Sequence, residues 1–124
     1  MSDSVLAVVK DLFFTARIRE TGRLAGVPVE ICPSGEHLKS RAESGALADF
    51  VIVDLTTRDW DYEALFGLLE GRSPRPQILG FTTHALARST QPWHARCDRV
   101  VTKETLTREL PDLLMRRSPG RRAS

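Results

Sequence analysis

Six residues able to do polar chemistry stand at the ends of short apolar runs. Lys10 and Asp11 follow Val5 to Val9, Asp54 follows Phe50 to Val53, Thr82 and Thr83 follow Ile78 to Phe81, and Lys103 closes the stretch that holds Val100 and Val101. Two carboxylates, two hydroxyls and two ammonium groups are more polar chemistry than packing asks for. Asp54 is the most telling, because a lone carboxylate on the last turn of a buried strand is costly unless it is paired or used. The residues alone leave two readings open. In one, Asp54 caps the following loop and pairs with Lys103 to satisfy charge; in the other it is the working group of a site.

Other constellations offer less. His84, His94 and Cys97 have the spacing H-x9-H-x2-C with Pro92 between them. That matches no compact zinc pattern and reads as surface histidines and a core cysteine. There is no G-x-S-x-G elbow, no P-loop and no G-x-G-x-x-G, and Lys10-Asp-Leu-Phe-Phe14 is not the Ser/Thr/Gly-rich loop of a flavodoxin-type nucleotide site. Trp60 and Tyr62 flank the segment after Asp54, either as partner anchors or to close the core over a helix start.

The elements that must position the six residues follow from hydrophobic periodicity. Five apolar runs, 5–9, 27–31, 50–53, 78–81 and 100–101, alternate with helical segments. Runs one, three and four are apolar throughout, as in strands buried on both faces of a parallel sheet. Pro28 and Glu30 make the second run an edge strand, and the brief fifth run takes the opposite edge. The spacing predicts a helix over 12–25 ended by Gly26, a second from the cap Ser34 through Ala42, and a third capped by Asp59 or Asp61 that stops at Gly71. A fourth segment is helical over 84–89 and interrupted by Pro92. In the fifth, Leu106, Leu110, Leu113 and Leu114 keep one face, while Pro111 implies a kink or a late start. The pattern is a doubly wound (βα)5 parallel sheet of order 2-1-3-4-5, in which ligands bind at the carboxyl ends of the strands near the switch between strands one and three. The six polar residues all arrive there.

This arrangement resembles the receiver domain of bacterial two-component response regulators over residues 5 to about 115. In that family an acidic pair follows strand one, a phospho-accepting Asp ends strand three, a Thr or Ser follows strand four, and a Lys follows strand five. Val8-Val9-Lys10-Asp11, Val51-Ile-Val-Asp54-Leu, Phe81-Thr82-Thr83 and Asp98-Arg-Val-Val-Thr-Lys103 occupy these places. The resemblance implies the flavodoxin-like receiver fold and phosphoryl transfer from a histidine kinase to Asp54. It further implies magnesium held by Asp11, Asp54 and the backbone carbonyl of Thr56, with Thr82 and Lys103 on the phosphoryl oxygens. Signalling would follow from a shift of the fourth helix and fifth strand.

Three positions depart from the family. Lys10 stands where the first acid belongs, and an ammonium does not ligate magnesium. Glu104 replaces the usual Pro and is a second carboxylate beside Lys103, while Val100 replaces the aromatic switch residue. These changes predict a degenerate receiver with weakened metal binding. In one form Lys10 replaces the cation and pairs with Asp11 and Asp54; in another, phosphorylation persists but slowly.

Composition sets the frame. The chain has 124 residues, 41% hydrophobic and 27% charged, which suits one domain. Residues 1–115 form the receiver-like domain, and residues 116–124 form a basic tail with the composition of a disordered terminus, holding four arginines and no acid. No apolar run approaches the roughly 20 residues of a membrane span, no signal peptide is evident, and Cys32 and Cys97 are too few for a disulfide framework. The expectation is a cytoplasmic protein that is not an enzyme. It would have no output domain and would act through protein contacts with a histidine kinase or another signalling protein. Self-association is expected through the segment from Trp93 to Val101, where an aromatic and arginines gather. Nucleic acid would be met only through the arginine tail, and no membrane is expected. The competing class is a small metal- or metabolite-binding protein, or an enzyme, on the same flavodoxin-like sheet.

Overall fold

The computed structural model describes residues 4–45, 47–72 and 75–115. Five strands and five helices alternate: β1 (Val5–Val8), α1 (Leu12–Ala25), β2 (Val29–Cys32), α2 (Gly35–Ser44), β3 (Phe50–Asp54), α3 (Tyr62–Glu70), β4 (Gln77–Thr82), α4 (Gln91–His94), β5 (Arg99–Thr102) and α5 (Lys103–Met115). The strands form one sheet of order β2-β1-β3-β4-β5, and every neighbouring pair is parallel. Residues of β1 and β3 are buried throughout, as continuous apolar runs require, whereas β2 is mostly half-buried at its edge. Pro28 lies just before β2, so its missing N–H costs the ladder nothing.

The strand period of two divides the core into two layers. Val5, Ala7, Phe50, Ile52, Leu79 and Phe81 face Phe14 and Ile18 of α1 and the four leucines of α5. Leu6, Val8, Val51, Val53 and Ile78 face Leu38 of α2 and Leu65, Phe66 and Leu69 of α3. Helix starts and stops are local chemistry. Asp11, Ser34 and Asp61 accept the N–H groups of Phe14, His37 and Ala64, capping α1, α2 and α3. Gly26 ends α1 at a φ of +73°, the left-handed conformation that glycine adopts without strain. Gly22 is required for a different reason: a Cβ there would lie 2.8 Å from the carbonyl oxygen of Val27, so α1 and the approach to β2 could not come this close.

Two helices differ from the sequence expectation. Residues 84–90 form turns, and α4 begins only at Gln91 with Pro92 in its first turn. Proline therefore opens this helix, because its fixed φ suits the first turn and no N–H is needed there. In α5, Pro111 sits inside a helix that runs from Lys103 to Met115, so the late start does not occur. Leu106, Leu110, Leu113 and Leu114 are all buried against the sheet and α1, and that burial outweighs the hydrogen bond that Pro111 forgoes. The basic tail at 116–124 lies outside the described residues.

Candidate functional site

The parallel register brings the ends of β1, β3, β4 and β5 to one edge of the sheet. Val8 pairs with Val53, Asp54 with Phe81 and Thr82 with Thr102. Asp54 is 5% exposed. Its Oδ1 accepts hydrogen bonds from the Thr56 N–H at 2.8 Å and the Thr56 hydroxyl at 2.6 Å, while Thr57 Oγ1 is 3.5 Å from Oδ2. One oxygen is held and the other is only weakly engaged. The backbone beneath is pinned by Tyr62, whose hydroxyl donates to the Asp54 carbonyl at 2.6 Å and accepts from the Thr57 N–H at 3.0 Å. Burial pushes the Tyr62 phenol well above its ordinary range, keeping it a neutral donor. Tyr62 thus closes the core over the start of α3, one of the two readings its position allowed.

Asp11 does two jobs. Its Oδ1 accepts from the Phe14 N–H at 3.1 Å, and its Oδ2 lies 3.5 Å from Lys103 Nζ. The hydrogen bond from Phe14 first, and then the Lys103 charge, hold its carboxyl below the usual range. Lys103 also lies 5.0 Å from the centroid of the Phe14 ring, which itself packs on Phe81. The ion partner of Lys103 is therefore Asp11. Neither Asp54, its partner in the structural reading, nor the competing Glu104 is bonded to it among the described residues.

Lys10 corrects the sequence reading. Its Nζ is 3.1 Å from Asp59 Oδ2 in the β3–α3 loop, with both side chains more than half exposed. It does not pair with Asp11 or Asp54. Three local commitments explain the difference: Asp11 is drawn back to cap α1, Asp54 takes its bonds from Thr56 and Thr57, and Asp59 offers Lys10 a carboxylate in water rather than a buried one. Lys10 therefore does not take the place beside Asp11 and Asp54; the ligands that the resemblance implies there are Asp11, Asp54 and the Thr56 carbonyl. Those are oxygen donors, the set a hard divalent cation takes and a zinc or copper ion does not prefer.

Beyond Thr82 the structure shows a connection that the sequence did not suggest. Thr82 is buried and accepts from Thr90 Oγ1 at 3.0 Å, and Thr90 Oγ1 lies 2.9 Å from His94 Nε2 in α4. Thr83 instead accepts the Leu86 N–H at 3.2 Å and, with His84, Thr102, Lys103 and Thr107, lines a cleft of about 470 Å³ beside the strand ends. His94 and Cys97 do not meet at a metal: His94 engages Thr90, and Cys97 donates to the Trp93 carbonyl at 3.6 Å. Burial pushes the Cys97 thiol up to about 11, and the side chain is half-buried against the core, not inside it as expected. Trp93 is half-buried and stacks on Phe66 with centroids 6.0 Å apart, so it packs within the chain instead of standing out from it.

No protein-family model and no curated protein matches the sequence. Solved structures do match. The chemotaxis response regulator CheY4 of Vibrio cholerae superposes with a TM-score of 0.72 at 22% identity, covering 91% of this chain and 99% of that one. The receiver domain of the sensor histidine kinase PA1611 from Pseudomonas aeruginosa, which has magnesium coordinated in its active-site cleft, gives 0.74 at 20% identity over 94% and 98%. The chain has the fold of a receiver domain. A structure of an adenylate cyclase from Rhodopirellula baltica also matches, with a TM-score of 0.69 at 12% identity over 92% and 90%, so the same fold occurs in proteins with different names and activities. Identities this low speak for the fold, and the chemistry has to be argued from this chain's own residues. No helix among the described residues is long and apolar enough to cross a membrane.

Proposed function

We propose that this receiver-fold chain accepts a phosphoryl group on Asp54 and signals by protein contact, with phosphorylation slower than in a receiver that has both acids after β1. The observation that carries the reading is the asymmetry of the Asp54 carboxylate: a buried side chain at the end of β3 whose Oδ1 is fixed by two bonds from Thr56, leaving Oδ2 as the oxygen to react. The donor is a phosphohistidine of a histidine kinase. Oδ2 forms the new O–P bond as the P–N bond breaks, the imidazole nitrogen takes up a proton, and Asp54 becomes an acyl phosphate.

The other residues have roles that follow from their positions. Lys103 at the head of α5 supplies a positive charge beside the incoming oxygens, and the Thr82 hydroxyl supplies a hydrogen bond from the end of β4. Asp11, Asp54 and the Thr56 carbonyl fit magnesium, which commonly takes one or two carboxylates and keeps several waters. When bound, that ion would neutralise charge between phosphoryl group and carboxylates. One acid fewer than usual weakens the site, but Lys10, drawn away by Asp59, does not fill it. Action by contact, with no turnover of a substrate, is in keeping with the named signalling neighbours.

The test is incubation with a small phosphodonor and magnesium, read by intact mass. Slow gain of one phosphoryl group, absent in Asp54→Asn and absent in chelator, is the expected result. No gain over a day at saturating donor would leave the fold without this function.

A further inference from the structure

Among the described residues one set of His, Cys and acidic side chains gathers closely enough to hold a metal ion, and it is remote in sequence from the Asp54 site: Glu30, Cys32 and His37, whose ligand atoms all lie within 4.8 Å of one another. The geometry points to a zinc site at the β2–α2 edge, with Cys32 sulfur, His37 imidazole and a Glu30 oxygen as protein ligands and the fourth position open to water. The elements make this set out of local structure. Residues i and i+2 of a strand share a face, so Glu30 and Cys32 both look toward α2. Residues i and i+4 of a helix also share a face, which brings His37 and Arg41 over them. Only Pro33 and Ser34 separate Cys32 from α2, and Ser34 fixes the His37 backbone by accepting its N–H at 3.1 Å.

The chemistry of the three atoms selects the metal. Sulfur, imidazole nitrogen and a carboxylate oxygen form a mixed set that suits zinc and not the hard ion of the Asp54 site. Zinc–sulfur distances of about 2.3 Å and zinc–nitrogen or zinc–oxygen distances near 2.0 Å require ligand atoms roughly 3.3–3.8 Å apart, so small side-chain rotations bring these atoms into range. Arg41 Nε bonds Glu30 Oε2, which orients the carboxylate through one oxygen and leaves Oε1 to face the ion. Cys32 is fully buried, and His37 is exposed, so the sulfur would be the inner ligand and the open position would face solvent. On binding, Cys32 gives up its thiol proton to water, because the thiolate is the form that ligates zinc.

The full chain, freed of metal by dialysis against chelator, is titrated with zinc chloride and its melting followed. One equivalent bound and a raised melting temperature are expected, with affinity reduced tenfold or more in His37→Ala, an exposed substitution that leaves the core intact. Cobalt in place of zinc should give a thiolate-to-cobalt charge-transfer absorption that disappears in Cys32→Ser. The Asp54→Asn variant should bind zinc as the wild type does, which separates this site from the phosphoryl site. Zinc that fails to bind, or binds equally well to His37→Ala, or cobalt that binds without the charge-transfer absorption, would overturn the proposal.

Discussion

At Asp54 the two carboxylate oxygens are unequal, and the inequality sets what each nearby substitution does. Asp54→Asn keeps an oxygen that can still accept from Thr56, so the fold should persist while the phosphoryl acceptor is lost; circular dichroism and intact mass together check both halves. Tyr62→Phe removes a hydroxyl that satisfies the Thr57 N–H and the Asp54 carbonyl at once. Leaving buried groups unpaired should cost about 1–3 kcal/mol in urea unfolding, and a loss below a few tenths would show that water replaces the phenol. Lys10 separates two accounts of the site. Its ion pair with Asp59 is exposed on both sides, and such pairs contribute little. Lys10→Ala should therefore melt with the wild type, whereas a lysine standing in for a buried cation would be missed. Lys10→Asp should tighten magnesium binding, measured by calorimetry, because it adds an oxygen ligand to Asp11 and Asp54.

Among the elements, α4 is the short one, and its four residues depend on a side-chain chain running back to β4. Thr82, Thr90 and His94 link the hydroxyl proposed to meet the phosphoryl group to this helix, in a protein whose β5 carries Val100 where the receiver family has an aromatic. Phosphorylation would turn the Thr82 hydroxyl toward the new oxygens and away from Thr90. In Thr90→Val, phosphorylation should proceed while the accompanying change in Trp93 emission, followed in a Trp60→Phe background, disappears; an unchanged response would mean that the signal leaves by another route. The sequence made some elements legible and others not, for physical reasons. Short continuous apolar runs bounded by turn residues fit strands buried on both faces, and Pro28, Glu30 and the brief fifth run marked the two edges, so the sheet order and the strand ends that carry Asp54 and Thr82 and precede Lys103 were legible. The loop cap on Asp54 was also readable, because Thr56 is two residues away. Contacts between distant loops were not. Lys10 to Asp59, 49 residues apart, and Lys103 to Asp11, 92 apart, depend on which partner the fold happens to present. Pro92 misled because a proline that opens a helix and one that breaks it look the same in a string of residues. Glu30, Cys32 and His37 escaped notice because a strand period and a helix period had to be combined to see them on one side.

For the molecule as a whole, the face formed by α3, α4 and β5 is tied together by charge over aromatic packing, and its behaviour in acid follows from that. Arg96, between α4 and β5, makes two bonds to Glu70 of α3 at 2.8 and 2.9 Å and one to Glu63 at 3.1 Å, and lies 5.5 Å from the Phe66 ring centroid. With Trp93 stacked beneath, two side chains of the segment expected for self-association, Trp93 and Arg96, are engaged inside the chain, while Gln91, Pro92 and Arg99 are exposed. The hydrogen bond from Arg96 holds Glu70 below the ordinary carboxyl range, and the bond from Phe14 together with Lys103 does the same for Asp11. A carboxyl whose folded pKa lies below its unfolded value binds fewer protons in the native state. Its contribution to stability is complete above the unfolded value, near pH 4–4.5, and is lost as pH falls through the lower folded value. Both groups are partly solvated, which reduces the size of the effect but not its sign. The melting temperature should be level from pH 7 to about 5 as far as these carboxyls are concerned and should fall progressively between about pH 4.5 and 3. Glu70→Gln should start lower at pH 7 and lose less over the acid range, because the group that titrates there has been removed. A wild-type melting temperature that stays level or rises between pH 4.5 and 3, or a Glu70→Gln curve parallel to the wild type, would show that the Arg96 clasp does not hold this face closed.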